Sequence, residues 1–171
     1  MKRMILLSLF CLAGIVMANA QKFALIDMEY IMENIPEYQQ ANNELELASQ
    51  QYQKAVEAKA KEAEALYLAY QKAANTLSAT QRTQKEEAII AKEKEAAELR
   101  QRYFGPEGEM AKKEEALITP IQNKIYEAVK QISQQRGYDA VIDRASATSV
   151  IFASPRIDIS NEVLSKLGYS N

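Results

Sequence analysis

Two aspartates close short apolar runs in this chain, Asp27 after Ala24-Leu25-Ile26 and Asp143 after Ala140-Val141-Ile142. Carboxylates at strand ends can hold a divalent cation or act as an acid and base pair, and they can equally cap the turns that follow. Capping is the favoured reading, because the chain has no histidine, its one cysteine is Cys11, and no phosphate loop or catalytic lysine accompanies the aspartates. The adjacent acids Glu86-Glu87 and Glu114-Glu115 lie in charged runs. Neighbours on a helix point about 100° apart, so these are solvated surfaces and not a hydrolytic pair. Imidazole catalysis, thiolate catalysis and the usual zinc and copper sites lack their groups. None of the patterns G-x-S-x-G, G-x-x-x-x-G-K-[ST] or G-x-G-x-x-G occurs, which argues against nucleotide use. The expectation is a protein that is not an enzyme, with no cofactor and no metal.

What remains is the chemistry of recognition. The segment Ala65-Leu66-Tyr67-Leu68-Ala69-Tyr70 is apolar all round, whereas a two-helix seam needs only about two positions in seven. Part of that surface must face something other than the seam. From Ala65 to Lys85 there is no acid, and Lys72, Arg82 and Lys85 put three positive charges on a chain whose net charge is −2. A basic patch beside tyrosines suits contact with a chain or surface that is apolar and negative. The acidic balance of the whole chain argues against wrapping nucleic acid.

The elements that would carry these groups can be read along the chain of 171 residues. Residues 1–20 have the form of a secretory signal: Lys2 and Arg3, an apolar run from Met4 to Met17, and the small-residue site Ala18-Asn19-Ala20. The run is shorter than the ~20 residues that span a bilayer. Cleavage after Ala20 would remove Cys11, Lys2 and Arg3, leaving a cysteine-free chain of net charge −4. Such a protein must hold together without disulfides.

Lys22–Met28 reads as a short buried strand, and Glu29–Ile35 as two helical turns stopped by Pro36. From Glu37 to Phe104 there is neither glycine nor proline, and most positions are strong helix formers. Tyr38, Ala41, Leu45, Ala48, Tyr52 and Ala55 recur at 3-4 spacing, resumed at Leu66, Ala69 and Ala73, with Lys59 and Glu62 on the seam between. The pattern breaks at residues 75–80, where Ser78-Ala79-Thr80-Gln81 is a capping box that starts a new helix. The chain therefore turns back, pairing residue i with roughly residue 155 minus i, and the arm would be about 60 Å long.

Gly105-Pro106-Glu107-Gly108 interrupts the return limb as a kink or short loop. Ile118, Ile121, Ile125, Ala128 and Ile132 then form an apolar stripe ending before Gly137. Tyr138–Asp143 and Ser149–Ala153 read as two strands of a hairpin, and Ser160–Leu167 as a last helix stopped by Gly168. The expected fold is α+β, mostly α. Residues 21–36 and 120–171 would form a small β-rich oligomerisation body, and 37–119 a helical-hairpin arm with its tip near 75–80. A body that small is marginal alone, so pairing between subunits is expected.

The strand FALIDM, the helical hairpin turning at Leu77-Ser78, the helix PIQNKIYEAVKQIS from Pro120 to Ser133, GYDAVID from Gly137, and the following strand and helix together resemble the OmpH family. The block from Pro120 to Asp143 is the most specific part. The resemblance implies a homotrimer in which strands from each subunit build a central barrel and three helical arms enclose a cavity. It also implies an ATP-independent periplasmic holdase for unfolded outer-membrane β-barrel proteins. On that reading the candidate client contacts are Leu66, Tyr67, Leu68, Tyr70, Ile89, Tyr103 and Phe104, with Lys72, Arg82 and Lys85 as the basic tip. The alternative is an exported coiled-coil spacer or adhesin stalk, which would require an apolar seam without Lys59 and Glu62.

Overall fold

The structure, a computed structural model, describes residues 21–147 and 149–169, so the expected signal peptide at 1–20 and its cleavage site lie outside the described residues. The described residues are mostly helical with two short strands. In order, these are strand β1 (Phe23–Ile26), helix α1 (Met28–Glu33), helix α2 (Pro36–Ala73), helix α3 (Ala79–Phe104), helix α4 (Glu109–Arg136), strand β2 (Ala140–Asp143), a 3-10 turn (Pro155–Ile157) and helix α5 (Ser160–Leu167). They fall into two compact units, one made of the described residues of 21–31 and 126–169, the other of Met32–Ile125.

In the first unit β1 and β2 pair in parallel, Phe23 opposite Ala140 and Ile26 opposite Asp143. Ala24, Leu25 and Ile26 are all buried, with no alternation between faces. Such a run is expected of a strand covered on both sides. Leu25 also accepts a hydrogen bond from the Ile159 N–H at 2.9 Å, which fastens the start of α5 to the strand. Ile31, Ala128, Ile132, Ile159, Val163 and Leu164 complete the buried apolar set.

The expected hairpin between Tyr138–Asp143 and Ser149–Ala153 is corrected here. The partner of β2 is β1, far upstream in sequence, and Ser149–Ala153 forms no strand. Ile151 is 100% and Phe152 85% exposed. The run of β-branched and aromatic residues Val150-Ile151-Phe152 that suggested a strand is real, but a strand needs an edge to pair with. This segment has none within the chain among the described residues.

Asp27 and Asp143 both cap. The Asp27 carboxylate accepts from the Tyr30 N–H at 2.9 Å, opening α1, and pairs with Arg144 at 3.0 Å. Asp143 accepts from the Met28 N–H at 3.0 Å and the Ala145 N–H at 3.1 Å. Burial pushes the Asp143 carboxyl up, but donors from Met28, Ser146 and Ala145 outweigh it, and the net shift is downward. A depressed folded-state value means that the stabilisation is complete above the ordinary carboxylate range and is lost as the pH falls through the folded value. Asp143→Ala should therefore cost on the order of 1 kcal/mol in urea melts at pH 7. At a pH below the folded value of the carboxyl, that difference should shrink towards zero.

The apolar stripe of α4 behaves as its spacing predicts, with Ile121, Ile125, Ala128 and Ile132 buried. The helix that carries it starts at Glu109 and runs through Pro120. Proline inside a helix removes one backbone hydrogen bond. Burial of the isoleucines that follow it offsets that loss.

Candidate functional site

The second unit holds the candidate recognition residues. Its α2 starts with Pro36 in the first turn, where the missing N–H costs no helical bond, and continues without a break for 38 residues. Ser78 caps α3 by the expected box: its Oγ accepts from the Gln81 N–H at 3.3 Å, and Gln81 Oε1 accepts from the Ser78 N–H at 2.9 Å. The antiparallel register follows the 155-minus-i rule closely. Tyr52 stacks on Tyr103, Glu62 meets Lys92 at 3.5 Å, and Tyr70 donates its hydroxyl proton to the Glu86 carboxylate.

The seam differs from the sequence expectation in one stretch. After Ala55 and Lys59 the inward residues are Ala63, Leu66, Tyr70 and Ala73, whereas Glu62 and Ala69 face out. Two steps of four in succession shift the stripe by one residue. A straight helix of 3.6 residues per turn drifts in this way from a 3.5 repeat. Glu62 then sits at the margin, between Lys59 at 3.0 Å and Lys92, which also holds Glu95 at 2.8 Å. The Lys59 hydrogen bond and burial act in opposite senses on Glu62, and its carboxyl ends below the ordinary range. Exposed pairs of this kind set register more than they stabilise.

The candidate client residues divide by position. Leu66 and Tyr70 are half-buried on the seam, and hydrogen bonding to Glu86 holds the Tyr70 hydroxyl above its ordinary pKa. Ile89 is buried between the helices. Tyr103 is half-buried against Tyr52. Tyr67, Leu68 and Phe104 are exposed, and Tyr67 forms one wall of an open groove floored by Ala60, Ala63 and Ala96 and flanked by Glu64 and Glu93.

Two exposed residues escaped the sequence reading, Leu47 and Ile90, each 61% exposed. Their signal was present, since each is an apolar residue standing off the seam stripe. At the tip Lys72, Arg82 and Lys85 are all exposed, and none is in an ion pair among the described residues. The hairpin thus presents separated apolar side chains along its shaft and uncompensated positive charge at its end.

Comparison with known proteins gives a consistent answer. The profile of the OmpH family, described as outer membrane protein (OmpH-like), matches residues 22–167. The chaperone protein Skp of Yersinia enterocolitica is 26% identical over 156 residues, covering 91% of this chain and 92% of that protein. A crystal structure of an OmpH-like protein from Caulobacter crescentus CB15 superposes with a TM-score of 0.65 at 14% identity, covering 86% of this chain and 83% of that one. At that identity the superposition shows a common fold.

Proposed function

We propose, because this chain belongs to the OmpH family, that it is an ATP-independent holdase of the periplasm that binds unfolded outer-membrane β-barrel proteins and keeps them from aggregating. The observation that carries this reading is the apolar surface left in solvent along a hairpin whose seam is already filled: Leu47, Tyr67, Leu68, Ile90 and Phe104. Each can cover a little of a client's apolar surface. Many weak contacts acting together give useful avidity while each one releases easily. The work needs no nucleotide.

In this reading residues 1–20 direct export and are removed after Ala20. Residues 21–36 and 120–171 form the oligomerisation body, and 37–119 form the arm. The working unit is a homotrimer. Support comes from the strand unit, where a two-stranded parallel sheet stands beside a segment with Ile151 and Phe152 in solvent. Sheets that small are marginal alone. Strand pairing across subunits would cover both the sheet edge and the two apolar side chains.

The test is to dilute a urea-unfolded outer-membrane β-barrel protein into buffer with and without this chain and follow light scattering. Suppression at one trimer per client is expected, and none at that ratio would overturn the reading. The triple change Lys72→Gln, Arg82→Gln and Lys85→Gln leaves the seam and both strands untouched. It should slow client capture and weaken binding to anionic vesicles at low salt. The deficit should shrink as salt rises, since exposed charges are screened beyond ~8 Å at physiological ionic strength.

A further inference from the structure

Two shallow hollows lie between α2 and α3. The first, of about 380 Å³, is walled by Val56 and Glu57 of α2 and by Arg100 and Phe104 of α3. The second, of about 420 Å³, is walled by Ala63, Glu64 and Tyr67 of α2 and by Glu93 and Ala96 of α3. Val56 and Ala63 stand one heptad apart, as do Glu57 and Glu64 and, on the other helix, Glu93 and Arg100. Positions one heptad apart share a helix face and lie about 10 Å apart along it. The hollows are therefore successive holes of one groove.

The two holes differ in charge. Arg100 balances Glu57 in the first, so what that hole offers is the apolar surface of Val56 and the exposed ring of Phe104. In the second, Glu64 and Glu93 stand on facing helices and both are exposed. Neither is in an ion pair among the described residues. By contrast the nearby acids Glu62 and Glu95 are both neutralised, Glu62 by Lys59 and Lys92 and Glu95 by Lys92. Beside the two unpaired carboxylates lie the methyl groups of Ala63 and Ala96 and the exposed ring of Tyr67. A lysine or arginine side chain complements all of these groups: its methylene stem covers the alanines, and its cation faces both carboxylates and the tyrosine ring. A carboxylate placed there meets two charges of its own sign.

We propose that this groove selects extended client segments by charge. The hole at Glu64, Tyr67 and Glu93 takes a lysine or arginine side chain, and the hole at Val56 and Phe104 takes an apolar side chain of the same segment. An extended chain rises about 3.3 Å per residue, so the two side chains stand three to four residues apart. The inference rests on the holdase reading and adds to it which stretches of a client the shaft prefers. The selection is opposite in sign to that of the basic tip, so shaft and tip engage different parts of one unfolded chain.

The test titrates the full chain with two end-blocked peptides, SFTSTKS and SFTSTES, which differ only in the charge four residues after the phenylalanine. Binding is read from the NMR shifts of the Ala63 and Ala96 amides at low salt. The lysine peptide should move both signals and bind roughly tenfold more tightly than the glutamate peptide. Glu64→Gln combined with Glu93→Gln changes two exposed side chains and leaves the seam intact. In that variant the two peptides should bind within about twofold of each other. No shift at Ala63 and Ala96 with the lysine peptide, equal binding of the two peptides, or a preference undiminished in the double variant would each overturn the proposal. The light-scattering assay keeps the two readings apart. Aggregation suppressed without any lysine preference overturns the groove and leaves the holdase, whereas a lysine preference without suppression supports the groove and overturns the holdase.

Discussion

Replacing Ile151 and Phe152 by aspartate should convert the proposed trimer into monomers that keep their helical hairpin. Both side chains stand in solvent in the single chain, so the substitution removes no packing there, and the helical circular dichroism should persist. In an assembled ring they are the apolar groups with most area still to bury, at about 1.5–3 kcal/mol for each when fully covered. Aspartate forfeits that burial and also places two new charges per chain where water would be excluded. The combined penalty recurs at each interface of a closed ring. Mass measured by sedimentation across a concentration series should fall to that of one chain. A double variant that stays assembled would show that subunits meet through a different surface.

The second large effect is expected on the arm. Changing Tyr67, Leu68 and Ile90 together to serine strips three exposed apolar side chains and touches neither the tip charges nor the buried Ala63 and Ile89. If each is about half covered by a bound client, the loss is about 1 kcal/mol apiece, so client affinity should fall roughly 100-fold. The loss should be nearly the same at low and high salt, because apolar burial is not screened. That distinguishes it from the tip variant, whose deficit fades with salt. Serine at Leu66, Tyr70 or Ile89 should instead lower the melting temperature of the hairpin, since these side chains lie in or along its seam. Titration of a labelled client at two salt concentrations, with thermal melts of each variant, separates the two classes of position. Equal salt dependence of the shaft and tip variants would show that apolar and charged contacts are not divided in this way.

Much of the architecture was legible because it rests on local backbone preference. The glycine- and proline-free run from Glu37, the capping box at Ser78 and Gln81, and the single turn between them determine a helical hairpin and its register, so that Tyr52 falls opposite Tyr103. The strand at Phe23–Ile26 and the stripe from Ile121 to Ile132 were readable in the same way. The absence of histidine likewise removed whole classes of chemistry before any fold was known. Three features needed the tertiary structure. The shift of the seam from Glu62 to Ala63 is invisible in an alanine-rich helix, where neighbouring positions offer nearly equal faces and only the facing helix chooses between them. The continuation of α4 through Pro120 depends on the isoleucines that are buried beyond it. The partner of β2 could not be read from its neighbourhood, because a strand's alternation records which faces it has and not which edge it joins. Local periodicity is written within a few residues, whereas pairing between segments more than a hundred residues apart is settled only when the whole chain competes for the same edge.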